Sequence, residues 1–350
     1  MNQQDKTPKE LGYYFPAEFA RHSATWLSWP HKEESWPGKI ETIFPVYAQF
    51  IKLVAEGEKV NINVADEVMK QKAIRHLDKA GTDLKNIQFF FHPTNDAWCR
   101  DHGPAFLINE KEKTKMVVKW NYNAWGNKYP PFDLDNQIPI SIAKQYGLPC
   151  SLPGIVMEGG SVDFNGKGTV LTTTSCLLNP NRNPHLTQSQ IENYLINYYG
   201  VENVLWLGDG IVGDDTDGHI DDITRFITKD TVVTVVEENK SDENYKPLKE
   251  NLEILKKMKL ENGKSLRIVE LPMPDPIIYK DQRLPASYAN FYIANNYVVV
   301  PTFRDKKDDN ALSILQKYFP DRKVVGLDST DIIWGLGSFH CLSQQEPEIV

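Results

Sequence analysis

Cys341, His219, Glu158, Asp96, Asp101 and Asp221 are the residues of this sequence whose types could together do chemistry. They fall in four polar clusters, NDAWCRDHGP (95–104), MEGGS (157–161), DDTDGHIDD (214–222) and GLGSFHC (335–341). A thiol attacks well at neutral pH only as the thiolate, a form that a nearby imidazole or a bound cation favours. Cys341 and His219 make such a pair. Carboxylates beside a thiol act in the opposite sense, raising its pKa unless a cation compensates, so a site holding both points to a cationic substrate. A planar guanidinium fits, because carboxylates accept strong, directional paired N–H bonds from it. Asp96 and Asp221 flanking a guanidinium would set its electrophilic carbon over the sulfur, making binding and positioning a single act. His219 would protonate the leaving nitrogen and then activate water, with Glu158 hydrogen-bonded to the imidazole to keep it charged and oriented. The composed reaction releases ammonia from a guanidine through a covalent amidino-thioether on Cys341.

Each of these residues has a plainer reading. Asp96 could be a turn or cap residue, and Glu158 a strand-end charge. The DDTDGHIDD run could be a hydrated acidic loop, or a metal site of carboxylates and one imidazole, although it lacks the ligand spacing and terminal Glu of an EF-hand. Asp101 could pair with the adjacent Arg100 for purely structural reasons. Trp98 could belong to the core, or form a wall against which a substrate's stem or cation lies. Cys99, Cys150 and Cys176 read as packing residues.

Residues this far apart meet only if the chain is organised to bring them together, and a degenerate repeat supplies the means. Stretches beginning at Gly103, Gly160, Asp222 and Ala289, roughly 60 residues apart, each read as a β-hairpin of alternating apolar runs around a polar turn. Helical spacing fills the gaps over 41–56, 66–80, 136–146, 187–199, 243–258 and 308–318, and a short strand usually follows, as in VNINV, IQFFF, CSLPGIV, NVLWL, LRIVEL and KVVGL. The unit is hairpin, helix, strand. Such units bury their sheet faces by packing side by side, in an open array or a closed ring. SATWLSWP (23–30) and the C-terminal SFHCLSQ (338–344) each look like half a hairpin unit, which favours ring closure by pairing of the termini and a count of about five. The polar clusters open the units, so in a ring they converge on one axis.

Bulk properties set the outer limits. The 350 residues are 41% hydrophobic, with 8 Trp, 15 Tyr and 15 Phe, enough for a large core and incompatible with a disordered chain. No linker divides them, so a single catalytic domain over 1–350 is expected, with a flexible N-terminus over about 1–11. A net charge of −8 without a basic stripe argues against nucleic acid and suits a small cationic substrate. A polar N-terminus, the lack of an 18-residue apolar run and four scattered cysteines without a CxxC pair predict a cytoplasmic protein with no membrane association. A homodimer is expected.

The motifs WLSWP, NDAWCRDHGP, NYNAWGNKYPP, EGGS, DDTDGHIDD, ANFYIANNYVVVP and GSFHCLSQQEP occur in the order seen in the agmatine deiminase and bacterial-type peptidylarginine deiminase family, which the chain resembles from about Gly12 to Pro347. The resemblance implies an α/β fold, a five-bladed pseudo-fivefold-symmetric propeller of the pentein type. It implies deimination without metal or organic cofactor, with Cys341 as nucleophile, His219 as general acid/base, Glu158 as its carboxylate partner, and Asp96 and Asp221 as guanidinium clamps. The absence of an export signal favours agmatine, converted with water to N-carbamoylputrescine and ammonia. Asp215 is the candidate for the terminal amine. Two departures fall near the pocket: Trp125-Gly126 runs into NKYPPFDLD, where those enzymes have another Gly and a longer insertion, and Leu336 and Ser338-Phe339 replace more usual Gly and Asn-Ile or Ser-Ile. Deimination of free or peptidyl arginine, amidino transfer, and a non-catalytic polyamine- or guanidine-binding protein are the alternatives.

Overall fold

The six helical patterns form helices close to their expected bounds in the computed structural model, which describes residues 6–349: Ile40–Ala55, Glu67–Lys79, Ile138–Tyr146, Gln188–Tyr199, Tyr245–Leu255 and Asp308–Gln316. Local chemistry sets several ends. The Asp66 side chain accepts from Met69 N, Thr187 and Gln190 form a reciprocal capping box, and Gly147 and Gly200 stop their helices in the left-handed conformation.

All four expected hairpins are antiparallel pairs: Ala105–Asn109 with Thr114–Val118, Asp163–Phe164 with Thr169–Thr173, Thr224–Phe226 with Thr231–Val236, and Tyr292–Ile293 with Tyr297–Thr302. After each intervening segment a third strand joins the second in parallel, namely Cys150–Ser151, Asn203–Leu207, Arg267–Pro272 and Lys323–Asp328. A parallel addition needs a long crossover, and the helices supply it. Strand Cys150–Ser151 is shorter than the CSLPGIV run because Pro153 and Gly154 follow one residue later. The half-units at the two ends of the chain do pair: His22–Ser28 runs antiparallel to Ser343–Pro347 and parallel to Lys59–Val64, which Ile87–Phe91 extends. Among the described residues the result is a mixed α/β fold of five such sheets.

A short two-stranded hairpin, Ile278–Tyr279 with Gln282–Arg283, is additional to the repeat. Its turn residues Lys280 and Asp281 both adopt positive φ, 45° and 64°, as a type I′ hairpin turn requires. Neither is Gly or Asn, which is why the turn carries no sequence signal.

Core packing reaches the candidate nucleophile directly. Phe50, fully buried on helix Ile40–Ala55, stacks on Phe339 at 5.1 Å and meets Tyr292 edge-on at 5.8 Å. Truncating such an aromatic costs about 3–5 kcal/mol, so this helix braces the loop that carries Cys341. At the other end, residues 1–5 of the stretch expected to be flexible lie outside the described residues. Lys9 bonds through its backbone N to Asn197 O (3.1 Å) and through Nζ to Val201 O (2.7 Å). Among the described residues no helix is long and apolar enough to cross a membrane.

Candidate active site

Three of the polar clusters fold as a single helical turn ahead of a hairpin strand: Cys99–His102, Gly159–Ser161 and Ile220–Asp222. Cys341 comes from the loop between the turn Ile332–Gly335 and strand Ser343–Pro347. These turns bring the candidates together. Asp101 Oδ1 lies 3.7 Å and Asp221 Oδ1 4.0 Å from His219 Nδ1, Glu158 Oε2 lies 3.9 Å from His219 Nε2, and Cys341 Sγ lies 3.6 Å from Asp221 Oδ2. Gly160 makes the approach possible. A Cβ there would sit 2.6 Å from His219 Nδ1 and 2.9 Å from Asp101 Oδ1, while its N–H donates to that same Asp101 oxygen at 2.9 Å.

The expected hydrogen bond between Glu158 and His219 is not formed, because 3.9 Å is an ion-pair distance and Glu158 turns its other oxygen to Arg182 Nε at 2.8 Å. Both ring nitrogens of His219, Glu158 Oε2 and Asp221 Oδ1 are buried without a partner. Burial alone would favour the neutral imidazole, but Asp101 first, then Cys176 and Glu158, outweigh it and hold the His219 pKa well above its ordinary value. Burial likewise pushes Glu158 up, and Arg182 and His219 more than offset it, leaving the carboxylate below its usual range.

Asp101 does not pair with Arg100 as its plainer reading had it. Arg100 instead reaches Glu18 Oε2 (2.9 Å) and Gln345 Oε1 (2.6 Å), and Asp101 accepts from Gly160 N and from Trp125 Nε1 (2.9 Å) beside His219. The Trp125 indole is aimed by a run of left-handed residues, Ala124 to Asn127, that includes Gly126 at φ 86°. A side chain at Gly126 would also strike Asn181 at 2.4 Å. Two carboxylates of the acidic loop are engaged in holding it: Asp214 accepts from the N–H groups of Thr216, Gly218 and His219 within the loop, and Asp217 takes Lys128, Asn181 and Arg182 from outside it. Two groups, Glu158 with Cys176 and His219, and Asp221 with Asp222 and Cys341, have donor atoms within 4.8 Å of one another. One Glu158 oxygen is taken by Arg182 and one Asp221 oxygen by His340 at 2.6 Å, which leaves a single oxygen of each to its group.

Cys341 is buried to all but 6% of its surface, and burial, then Asp221, Asp222 and Asp101, push its thiol well above the ordinary value. Its exposed part opens on a cavity of about 220 Å³ lined by Asp96, Asp101, Trp98, Trp125, Trp334 and Leu336 among others, with Asp215 and Glu34 also on its wall. Trp98 stacks on Trp36 at 5.1 Å, so it is packed and a wall at once. Asp96 is anchored by Ala97 N (2.7 Å) and Ser35 Oγ (2.5 Å), with Lys32 Nζ at 3.6 Å, and buried Asp135 holds its loop by accepting from Asn95 N at 2.7 Å. Burial pushes Asp135 up to about 7. Asp221, Glu158 and His219 do not line this cavity. At the cavity, Asp215 accepts from Tyr129 Oη and sits 3.5 Å from Lys128 Nζ, so part of its charge is already met. Tyr279 and Gln282 of the short hairpin line the same cavity, the Tyr279 ring lying tilted against Trp334.

The model of the Porphyromonas-type peptidyl-arginine deiminase family matches residues 14–347. The chain belongs to that family. Among relatives of this peptidyl-arginine deiminase family member, the agmatine deiminase of Pseudomonas syringae pv. tomato is 33% identical, with 99% of each chain covered. The solved structure of the Enterococcus faecalis agmatine deiminase superposes with a TM-score of 0.91 at 32% identity, covering 99% of this chain and 98% of that one. A cysteine-to-serine variant of the C. jejuni agmatine deiminase with substrate bound gives a TM-score of 0.86 at 36% identity, covering 95% and 96%.

Several residues of this family member around the site carried no signal of their own in the sequence. Glu18 joins Arg100, Arg225 and His340; Arg182 holds Glu158; Asn290 touches the Cys341 sulfur; and Cys176, read as packing, lies within 4.8 Å of Glu158 and His219. Buried arginines demand buried carboxylates, so Arg100 and Arg225 inside apolar units were the available clue to Glu18. The Leu336 departure has a geometric counterpart: the residue sits at φ 70°, where Gly is favoured, and its side chain forms cavity wall.

Proposed function

We propose that this chain is an agmatine deiminase, converting agmatine and water to N-carbamoylputrescine and ammonia with its own side chains and no cofactor. The observation that carries the reading is a buried thiol facing a cavity walled by carboxylates and indoles, backed by an imidazole with both nitrogens unpartnered. A guanidinium entering past Asp96 on the cavity wall and reaching toward Asp221, which lies 3.6 Å from the Cys341 sulfur, brings the positive charge that the thiol's surroundings lack. As the cation binds, Cys341 releases its proton to water and the thiolate adds to the guanidinium carbon; ammonia leaves with a proton from His219, and water that gives a proton to the now neutral His219 adds to the amidino carbon and expels the sulfur as thiolate. Glu158 and Asp101 stabilise the imidazolium form of His219 between these steps. Trp98 flanks the substrate stem, and Asp215 receives the terminal amine through the apolar cavity.

The same proposal includes one catalytic domain over 1–350, its five sheets closed into a five-bladed pseudo-fivefold propeller. It also includes a homodimeric state and a cytoplasmic location. Four free cysteines and the β-pairing of the two chain ends support it. The test is ammonia release from agmatine, free arginine and a peptide ending in arginine. Activity on agmatine with N-carbamoylputrescine as product is expected; citrulline as sole product would move the reading to arginine, and no release from any of them would leave a binding protein.

A further inference from the structure

The carboxylates around Cys341 all oppose its ionisation, which raises the question of what favours the thiolate once the substrate's charge begins to be consumed. Asn290, buried to 99% just ahead of strand Tyr292–Ile293, answers it geometrically. Its Nδ2 donates to Cys341 Sγ at 3.0 Å and to Asp222 Oδ1 at 2.8 Å, while its Oδ1 accepts from Cys341 N at 3.4 Å. The backbone is tied as well, since His340 N donates to Asn290 O at 3.3 Å.

An amide's nitrogen and oxygen are told apart by their partners. Here a reversed amide would put a carbonyl oxygen against an Asp222 oxygen and an NH2 group against a backbone N–H. The orientation with nitrogen on sulfur is therefore fixed by Asp222, which retains an acceptor oxygen whether or not it is protonated. The two contacts on the sulfur favour opposite states. Donation from S–H to Asp221 Oδ2 at 3.6 Å exists only for the thiol, whereas an N–H donor strengthens as the sulfur becomes negative.

We propose that Asn290 is a further catalytic residue, whose side-chain N–H stabilises the Cys341 sulfur as a thiolate, with Asp222 as the positioning residue that locks the amide toward it. The inference rests on the deiminase reading above. It acts twice in that reaction: when the thiolate forms the C–S bond and ammonia departs with a proton from His219, and when the C–S bond breaks after water adds and sulfur takes back the bonding electron pair. Asp101, Asp221 and Asp222 face the sulfur and raise its pKa, so the donor works against all three.

The test uses the full-length protein and reads the nucleophile separately from turnover. Alkylation of Cys341 by neutral iodoacetamide at about pH 8.5 is followed on its own peptide by mass spectrometry, because Cys150 is exposed and reacts too. In Asn290→Leu, alkylation of Cys341 falls by about 10-fold or more and kcat on agmatine by about 10- to 100-fold, with KM within about threefold. Asn290→Asp keeps the shape and places a carboxylate oxygen on the sulfur, giving a larger drop in both, and it carries the test if the leucine variant does not fold. Asp222→Asn shows a smaller fall of the same kind. A loss of kcat with unchanged alkylation, or no loss of either, overturns the assignment. Absence of ammonia release by the unsubstituted protein from any guanidine is the separate failure of the deiminase reading, and leaves the alkylation comparison still decisive for Asn290.

Discussion

Glu18 and Glu158 are both buried glutamates beside buried arginines, yet their surroundings differ in kind. Glu18 has both oxygens filled: Oε1 accepts from Arg225 Nη2 and Ile293 N, each at 2.9 Å, and Oε2 meets Arg100 Nη2 at 2.9 Å and His340 Nε2 at 2.8 Å. Glu158 has one oxygen on Arg182, and the other faces His219 with no hydrogen bond. His340 links the two regions, bonding Glu18 on one side and Asp221 on the other. A buried charge with every lone pair satisfied reads as scaffold, because its desolvation is met by its partners. A buried group left unsatisfied costs about 1–3 kcal/mol and persists where a ligand or a moving proton completes it. The difference separates the frame from the working part of the site within one continuous cluster.

The largest expected effect is on the unsatisfied side. His219→Asn lowers kcat on agmatine by about 100- to 10,000-fold while lowering the urea-melt midpoint less than a framework substitution does. Glu18→Gln shows the inverse pattern, losing about 3–5 kcal/mol of stability because Arg100 and Arg225 are left with unmatched buried charge. If both variants lost stability equally, the contrast between frame and working part would collapse.

Opposite pH behaviour follows from the same contrast. Burial raises Glu18, but Arg225, His340 and Arg100 outweigh it and hold the carboxyl well below the ordinary value. Its contribution to stability is therefore complete above about pH 4.5 and is lost as pH falls through the folded pKa. His219 is held above its unfolded value, so its contribution is complete below about pH 6.5 and is lost as pH rises through the folded pKa. Chemical melts across pH should show Glu18→Gln flattening the acid limb and His219→Asn flattening the alkaline one.

The smallest effect belongs to the cavity wall. Asp215 is 41% exposed at its side chain and shares its charge with Lys128. Asp215→Asn raises KM for agmatine by about 3- to 10-fold with kcat within about twofold, and leaves stability unchanged. A drop in kcat with unchanged KM would remove Asp215 from tail binding.

The repeat was legible because hairpin alternation and helical spacing are local patterns, and the helix over 187–199 even carries its own capping pair, Thr187 and Gln190. Cys341, His219, Glu158, Asp96 and Asp221 were legible because they cluster where the units begin. Glu18, Arg182 and Asn290 were not, since each acquires its place only through tertiary contact: Glu18 meets Arg225, which lies 207 residues away in sequence. The fine geometry of His219 was also hidden. A carboxylate partner could be inferred from chemistry, but not that Arg182 would draw Glu158 out of hydrogen-bond range and leave Asp101 nearest to the ring.

The central claim is that the substrate's charge makes the nucleophile. It is tested most directly by comparing alkylation of Cys341 at about pH 7 by neutral iodoacetamide and by a small cationic haloacetamidine, each normalised to a free thiol. A thiol held protonated by Asp221, Asp222 and Asp101 should react slowly with the neutral reagent, its rate still climbing above about pH 9, and about 100-fold faster with the cation. Fast reaction with the neutral reagent, levelling off below about pH 7 and matched by the cation, would mean a resting thiolate and contradict the account.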